Sequence, residues 1–333
     1  ANNTSIDNCD VYISLNYGIC GGIAAEAYNS TITNCCVTAT GYIYEFGGIV
    51  YSTSGNTVIA NCVLKNSGVN VTSLYGGIVG EACGKTEIYN CANSDIFNSR
   101  RSGGIVSYAE MSGLTLENNM YYKENDCCDV YYDIEKDECI SEMVDKDSTV
   151  SEKDAEGLYI PAKLNEYVRA NPNQVKGTTL KTWGVDYNNE PCFANNKNPE
   201  LYLIKQSGVK ADTLINGDYA RGALPGNKVT VCGIADSAVV AVTDVNGNDI
   251  KLTKNEDGYE FTMPKCDVTV SAVLDTGINE TTVIDGKTYV VVKNASDFVK
   301  AVKSIADGNS ELNVYIAENI NLTAEELAEY PIY

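Results

Sequence analysis

The stretch GGIVYSTSGNTVIANC, residues 47–62, decides the fold, because both of its ends recur along the chain at one interval. Double glycines occur, at spacings of 26, 29 and 27 residues, at Gly21–Gly22, Gly47–Gly48, Gly76–Gly77 and Gly103–Gly104. Asn-Cys pairs occur, at spacings of 26, 27 and 29 residues, at Asn8–Cys9, Asn34–Cys35, Asn61–Cys62 and Asn90–Cys91. Two independent markers therefore share one period.

A period of this length is typical of solenoid proteins, in which no repeat buries its apolar side alone and each one stacks on the next. The apolar segments within a repeat are short, as at Ile49–Val50 and Val58–Ile59, and turn residues separate them. No repeat holds ten residues with helical periodicity, so the pattern favours strands. We predict an all-β chain that begins with a parallel β-solenoid of about 4–5 coils of ~27 residues.

The repeat also predicts two structural ladders. Asparagine amides stacked at one coil position can hydrogen-bond along the stack and satisfy backbone groups at the corner. The ladder residues are Asn8, Asn34, Asn61, Asn90 and Asn118, with Cys9, Cys35, Cys62 and Cys91 at the next position. Stacked strands lie about 4.8 Å apart, within disulfide reach, but parallel Cβ vectors favour reduced thiols. The chain has no C-x-x-C motif, which argues against a zinc or iron–sulfur site.

Composition excludes several classes of function. The chain has 45 acidic and 24 basic residues, a formal net charge of −21, so nucleic acid and anionic lipid would be repelled. It has no histidine, which excludes Ser-His-Asp and Cys-His catalytic sites and the commonest zinc ligand sets. No apolar run of about 18 residues is present, so we expect no membrane insertion.

The pentapeptide GGIVG at Gly76–Gly80, with the I-x-N-C pattern that follows it, resembles the GLUG-type repeats of bacterial secreted and surface proteins. The segments NNMYYKENDCCDVYYD, AKLNEYV and WGVDYNNEPCF resemble the closing portion of such regions, where a tryptophan-containing strand completes the solenoid. The resemblance covers about residues 1–205 and implies a bacterial, extracellular location at the cell surface.

An acidic segment interrupts the pattern at residues 124–156, where 13 acidic side chains face 3 lysines. We interpret it as a solvated excursion. A calcium site is the sharper alternative, although the segment lacks the glycine and the ligand spacing of a defined calcium loop. Its candidate ligands are Asp126, Asp129, Asp133, Glu135 and Asp137. We expect no other cofactor.

From about Gly208 the chain changes to alternating strands and tight turns, with Asn246–Gly247 as a strong hairpin signal. This spacing predicts a small antiparallel β-sandwich. The stretch YEFTMPKCDVTVSAV, residues 259–273, resembles the last two strands of Ig-like repeats of bacterial surface proteins, which implies a spacer or presentation module. Cys232 and Cys266 are the only cysteines in the sandwich, and we consider a disulfide bridge between them.

The last segment predicts a short α+β unit, in which NASDFVKAVKSIADG forms a helix and ELNVYIAENINLT a pair of strands. It looks like the opening of another β-helix. We therefore divide the chain into solenoid repeats (1–123), the acidic excursion with a short helix and closing strands of the solenoid (124–206), an Ig-like β-sandwich (207–275), and a linker with the start of a second β-helix-like unit (276–333).

These features predict a non-enzymatic, extracellular structural or adhesive surface protein. Both ends look cut from a longer protein, so the chain is either a fragment or a subunit that assembles head-to-tail into filaments. In a filament, Leu312–Leu322 of one subunit would cover Ile6–Ile13 of the next. The expected partners are further copies, the remainder of a longer chain, or a host or polysaccharide ligand.

The alternative is a carbohydrate-active β-helix protein that binds or cleaves glycans. Its nearest catalytic candidates are Arg100–Arg101 beside Asp95. No paired Asp or Glu recurs on neighbouring coils of the sequence pattern, which disfavours a carboxylate pair.

Overall fold

The computed structural model describes residues 1–65, 68–94, 101–122, 128–139, 149–150, 158–208, 210–234, 238–274, 276–278, 280–284, 287–306 and 312–323. They form two compact units. Unit one comprises Ala1–Leu203 and Ala220–Leu224, and unit two comprises Ile204–Tyr219 and Pro225–Tyr333. The predicted fold class is confirmed, because a parallel β-solenoid is followed by antiparallel sheets and a short helix-bearing unit.

The solenoid strands follow one another coil by coil. The first two coils contain β1 (Ser5–Asp7), β2 (Asp10–Asn16), β3 (Ile19–Gly21), β4 (Ala24–Tyr28), β5 (Thr31–Thr33), β6 (Cys36–Gly47) and β7 (Val50–Ser54). The next two contain β8 (Asn56–Ala60), β9 (Val63–Lys65), β10 (Val69–Gly76), β11 (Val79–Ala82), β12 (Lys85–Tyr89), β13 (Ala92–Asn93) and β14 (Arg101–Ala109). A 3₁₀ turn (Met111–Gly113) precedes β15 (Leu114–Glu117), β16 (Met120–Tyr122), β17 (Cys128–Asp133), β18 (Glu138–Cys139) and β19 (Thr149–Val150).

The remaining elements follow in chain order. They are α1 (Tyr159–Ala170), β20 (Trp183–Val185), β21 (Pro191–Phe193), β22 (Tyr202–Gly208), β23 (Asp212–Ile215), β24 (Asp218–Tyr219), β25 (Gly222–Ala223), β26 (Lys228–Cys232) and β27 (Ala238–Asp244). The last are β28 (Thr253–Lys254), β29 (Tyr259–Thr262), β30 (Val268–Leu274), β31 (Thr281–Ile284), β32 (Lys287–Val292), α2 (Ala295–Ala306) and β33 (Val314–Ile316).

Two parallel sheets run along the solenoid stack. The first consists of β1, β5, β8, β12 and β15, one strand from each of five coils. Their register aligns the apolar residues Ile6, Ile32, Ile59, Ile88 and Leu116 in one column. The second sheet has 14 strands and includes β2, β6, β10 and β14. β19 pairs with β16, so the stack extends one strand beyond five coils and is slightly longer than predicted.

The repeated glycines mark places where the backbones of the coils approach closely. A Cβ atom on Gly47 would lie 2.0 Å from the carbonyl oxygen of Val50, and one on Gly48 would lie 1.9 Å from that of Gly77. Real Cβ atoms do not come so near to a backbone oxygen. The isoleucine after each of the last three pairs, Ile49, Ile78 and Ile105, is fully buried and fills the interior, and Ile23 after the first pair is partly buried. The opening motif is therefore a packing motif, with glycine for approach and isoleucine for the core.

A closing segment completes unit one. Helix α1 turns its buried side chains Ile160, Leu164 and Val168 toward Trp183 and toward coil residues of β8, β9 and β13. Strands β20 and β21 form an antiparallel pair beside it. This cover lies over one side of the coils and leaves other faces of the solenoid exposed.

Unit two contains small sheets. Strand β22 pairs with β30 in parallel, and β30 pairs with β27 antiparallel. Strands β24, β23, β26, β29 and β28 form an antiparallel sheet, and β31, β32 and β33 form a third sheet next to α2. Among the described residues of both units, no helix is long and apolar enough to cross a membrane.

The structure corrects the disulfide considered between Cys232 and Cys266, because both are free thiols. Cys232 ends β26, and Lys228 at the other end of that strand pairs with Thr262. Cys266 lies four residues after Thr262, in the bend between β29 and β30.

Candidate binding site on the solenoid

Four exposed tyrosines of the first two coils lie on β2, β6 and the turn after β2. Tyr12 is 77% exposed, Tyr17 73%, Tyr44 54% and Tyr42 43%; we call these four residues the tyrosine face. Side chains of a strand alternate between its two sides, and the residues of β2 that alternate with the outward ones, such as Leu15, point into the core. The apolar interior therefore fixes the outward direction of the rings.

Neutral polar side chains separate the rings. In the register of β2 and β6, Tyr12 pairs with Thr38, and Asn16 pairs with Tyr42. Between these two pairs, Ser14 lies opposite Thr40. The tyrosine face thus combines aromatic rings with hydroxyl and amide groups, in a sheet whose strands lie about 4.8 Å apart.

No charged residue lies between the rings of the tyrosine face, although the chain as a whole carries a net charge of −21 and Asp10 and Lys65 border the face. Residues 11–20, 36–44 and 69–76 belong to three neighbouring coils and contain no Asp, Glu, Lys or Arg. Tyr42 lies four residues beyond the partner of Tyr12, so the rings extend over roughly 13 Å along the strands. The result is an elongated, uncharged, rigid surface.

A carboxylate pair lies beside one end of the tyrosine face. The Tyr51 hydroxyl lies 2.7 Å from Glu45 Oε2 and 3.1 Å from Glu81 Oε1, and it can donate to either. Burial, and then the hydrogen bond to Glu45, raise the pKa of this hydroxyl. Glu45 and Glu81 come from neighbouring coils, and the sequence pattern did not indicate this arrangement. The sequence did not show it because the two residues occupy different positions in their repeats.

The phenol group occupies the space between these carboxylates. Tyr51 therefore joins two coils, and its hydroxyl bridges the two carboxylates. Of the other catalytic candidates, Asp95 and Arg100 lie outside the described residues. Arg101 donates from Nη1 to the Tyr108 hydroxyl at 2.6 Å and is an ordinary surface contact.

The structure places Asn34, Asn61, Asn90 and Asn118 in one ladder. Each Nδ2 donates to the Oδ1 of the preceding member, at 2.8 Å for Asn61, 2.7 Å for Asn90 and 2.7 Å for Asn118. Asn8 does not join in this way, because Asn34 donates to Asp7 Oδ1 at 2.7 Å instead. All five asparagines have φ between 52° and 60°, a left-handed conformation that asparagine tolerates better than most residues.

The ladder also binds the closing segment of unit one. The Lys181 amide donates to Asn34 Oδ1 at 2.9 Å, and Asn61 Nδ2 donates to the Lys181 carbonyl at 2.9 Å. The indole N–H of Trp183 donates to Asn61 Oδ1 at 2.7 Å. The outer edge of the ladder is thus covered by the chain itself, which makes it a structural feature and not a ligand site.

The cysteines of the next position lie inside the solenoid. Cys35, Cys62 and Cys91 are buried free thiols, and Cys9 is half-buried. Each buried thiol donates to the carbonyl two residues before it, as Cys35 does to Thr33 at 3.0 Å. Burial raises the pKa of the Cys62 thiol well above its usual value. Since only the thiolate is a nucleophile or metal ligand, these side chains serve packing.

Three of the five calcium candidates, Asp133, Glu135 and Asp137, lie in the described part of the chain with their side chains. Asp133 is buried, accepts from the Glu135 amide at 2.9 Å and pairs with the Lys136 ammonium at 3.3 Å. Asp137 accepts from the Tyr132 hydroxyl, Asp129 belongs to β17, and Asp126 lies outside the described residues. In the part of the chain that the structure describes, no three His, Cys, Asp or Glu side chains are arranged to hold a metal ion.

The tyrosine face is therefore the surface best suited to contact a ligand. Its rings can stack on an apolar surface, and its hydroxyl and amide groups can exchange hydrogen bonds. Comparison with known proteins gives no further guide, because no protein-family model and no curated protein matches the chain.

Proposed function

We propose that this protein is a non-enzymatic, extracellular adhesive protein of the bacterial surface, which binds an uncharged polysaccharide through the tyrosine face. The observation that carries the proposal is the exposure of four tyrosines on a sheet surface with no charged residue between the rings. An exposed apolar patch rimmed by polar groups is typical of a binding surface. Tyrosine adds rigid, amphipathic contact area at a low cost in conformational entropy.

The chemistry of the face favours a sugar chain as the ligand. The C–H faces of sugar rings can stack on tyrosine rings, while sugar hydroxyl groups match Ser14, Asn16 and the threonines of β6. A polyanion is disfavoured by the acidic chain, and a polycation finds no carboxylate between the rings. The parallel sheet is already ordered, so binding does not require a loop to fold.

The proposed location rests on two resemblances. The GGIVG-type repeats are similar to those of bacterial secreted and surface proteins, and residues 259–273 are similar to Ig-like repeats of such proteins. Under this proposal the solenoid presents the ligand surface, and unit two serves as a spacer. Neither role requires a catalytic residue.

A glycan array probed with the full chain tests the proposal. We expect binding to neutral oligosaccharides and at least about tenfold weaker binding by Tyr12→Ala/Tyr42→Ala, because truncating a central aromatic costs about 2 kcal/mol. Tyr187→Ala is the matched control, since Tyr187 is 93% exposed and belongs to the closing segment. Equal binding by the double variant and the wild type, or no neutral glycan bound, would overturn the proposal.

The glycans that bind also distinguish adhesion from the glycan-cleaving alternative. Incubation of each bound glycan with the chain should release no reducing ends, because the Tyr51 hydroxyl bridges Glu45 and Glu81. Release of reducing ends by the wild type, and its loss in Glu81→Gln, would instead identify an enzyme.

Head-to-tail assembly is a second candidate function. Among the described strands, β1 pairs only with β5 and β2 pairs only with β6, so each has one side without a partner strand. At β33, Tyr315 and Ile316 are exposed apolar residues of the segment expected to cover a neighbouring coil. Electron microscopy of the purified chain should then show regular filaments that Ile316→Asp disrupts. Discrete particles at every concentration would exclude assembly by this chain alone.

A further inference from the structure

Two rings of the tyrosine face form a pair with a chemical consequence of its own. The ring centroids of Tyr17 and Tyr42 lie 5.3 Å apart, with an angle of 60° between the ring planes. We propose that Tyr17 and Tyr42 are an oxidative modification site, at which a peroxidase with hydrogen peroxide joins the two rings as dityrosine. This proposal goes beyond adhesion and does not depend on a bound glycan.

The backbone holds the two residues together. The Tyr17 amide donates to the Tyr42 carbonyl at 2.8 Å, and the residue before Tyr17, Asn16, pairs with Tyr42 in the parallel register. On the other side, the Tyr44 amide donates to the Gly18 carbonyl at 3.1 Å. The turn after β2 is thus fixed to β6 on both sides. The two backbones cannot separate, so coupling of the two rings is intramolecular.

Both rings are accessible and can reorient. Tyr17 and Tyr42 are exposed, and neither hydroxyl has a hydrogen-bond partner among the residues that the structure describes. Exposed side chains change rotamer within picoseconds to nanoseconds, so the ortho carbons of two neighbouring rings can meet. An oxidant in solution reaches both phenols without any opening of the fold.

The cross-link is a two-electron oxidation of two phenols by one hydrogen peroxide. The peroxidase removes one electron and one proton from each phenol and leaves two phenoxyl radicals, whose unpaired electrons extend to the ortho carbons. The two ortho carbons form one C–C bond, and each ring regains aromaticity as its ortho hydrogen moves to the phenol oxygen. The two electrons and two protons reduce one hydrogen peroxide to two waters. The cross-linked chain is lighter by two hydrogen atoms.

Two other tyrosine sites have either a neighbouring ring or high exposure, but not both. Tyr108 and Tyr132 lie 5.1 Å apart, but Arg101 donates to the Tyr108 hydroxyl and the Tyr132 hydroxyl donates to Asp137. These contacts restrain both rings, which are only half-exposed. Tyr187 is 93% exposed, and no other ring contacts it within the described part of the chain. Among the residues that the structure describes, only Tyr17 and Tyr42 combine a partner ring with free access.

The test is oxidation of the full chain by a peroxidase and hydrogen peroxide, followed by dityrosine fluorescence and mass spectrometry of the peptides. At about 10 µM chain, an effective concentration on the order of millimolar predicts a roughly 100-fold preference for the internal Tyr17–Tyr42 link over links between chains. Tyr17→Phe and Tyr42→Phe keep the ring packing, and each should abolish the internal link. Tyr187→Phe should leave its yield unchanged.

Three results would overturn the proposal. The first is that oxidised wild type contains no peptide in which Tyr17 and Tyr42 are cross-linked. The second is that dityrosine yield follows exposure alone, so that Tyr187 gives most of the cross-links. The third is that Tyr17→Phe forms as much internal dityrosine as the wild type. The measured quantity is the cross-linked peptide itself, so the test does not depend on glycan binding, and Tyr187→Phe outside the tyrosine face serves as the control.

Discussion

At the residue scale, asparagine is the side chain on which the solenoid depends most. Asn61 holds two neighbouring coils and the closing segment at once, through bonds to Asn34, Asn90 and the Lys181 carbonyl. It does so in a left-handed backbone conformation, with φ of 57°. The sequence predicted the stacking from the repeat, but not the conformation, because nothing in the period distinguishes a stacked extended residue from a stacked left-handed one.

We predict that Asn61→Ala lowers the free energy of unfolding by about 3–5 kcal/mol. The substitution leaves several buried polar groups without a hydrogen-bond partner, and each such group costs about 1–3 kcal/mol. Asn118→Ala is the control, since it has similar φ but only one ladder bond, to Asn90. It should cost about 1–2 kcal/mol. Urea unfolding followed by circular dichroism measures both. Equal losses would show that backbone conformation, and not the hydrogen-bond network, gives the asparagine its role.

The Cys36 thiol makes stability depend on pH. Burial raises its pKa to about 12 in the folded protein, above the ordinary value of 9.0. A raised pKa contributes stability that is complete below pH 9 and is lost as the pH rises toward 12. Between pH 8 and 10 the advantage of the wild type over Cys36→Ala should shrink by about 1 kcal/mol. Urea unfolding at both pH values checks this, and a constant difference would contradict the assigned cause.

At the element scale, the period was enough to predict strands and their stacking, because double glycines and buried isoleucines must recur wherever coils touch. The period gave no information on the closing segment. Thr179 and Lys181 bind Asn34 across more than a hundred residues of sequence, and short apolar segments such as Trp183–Val185 do not encode that distance. The Glu45–Tyr51–Glu81 bridge was missed for the same reason, since it joins unlike positions of two coils.

We predict that Gly76→Ala is far more harmful than Gly18→Ala. A Cβ on Gly76 would lie 1.7 Å from the Val79 carbonyl oxygen, so the tight bend between β10 and β11 must open. A Cβ on Gly18 meets nothing within 4 Å and costs only the strain of its φ of 99°, about 1–2 kcal/mol. Thermal unfolding of both variants, or failure of Gly76→Ala to fold, measures the contrast. Equal stability would mean that the bend after β10 is not as tight as described.

At the scale of the whole molecule, the solenoid has a repetitive interior and a surface that differs from coil to coil. The interior repeats from coil to coil, but the tyrosines are concentrated on the first two coils, in a stretch from which charge is absent. Composition alone indicated an excess of tyrosine over phenylalanine. It could not locate the cluster, because the outward direction of Tyr12 and Tyr42 follows from the burial of their neighbours, and that requires the register of β2 and β6.

The most direct test of the proposed function is the affinity of the full chain for a neutral polysaccharide, measured by calorimetry at about 0.05 M and 0.5 M salt. Stacking and neutral hydrogen bonds predict the same dissociation constant at both salt concentrations, and at least about tenfold weaker binding by Tyr12→Ala/Tyr42→Ala. Affinity that falls steeply with salt, or that survives in the double variant, would contradict the account and place binding on a charged surface elsewhere.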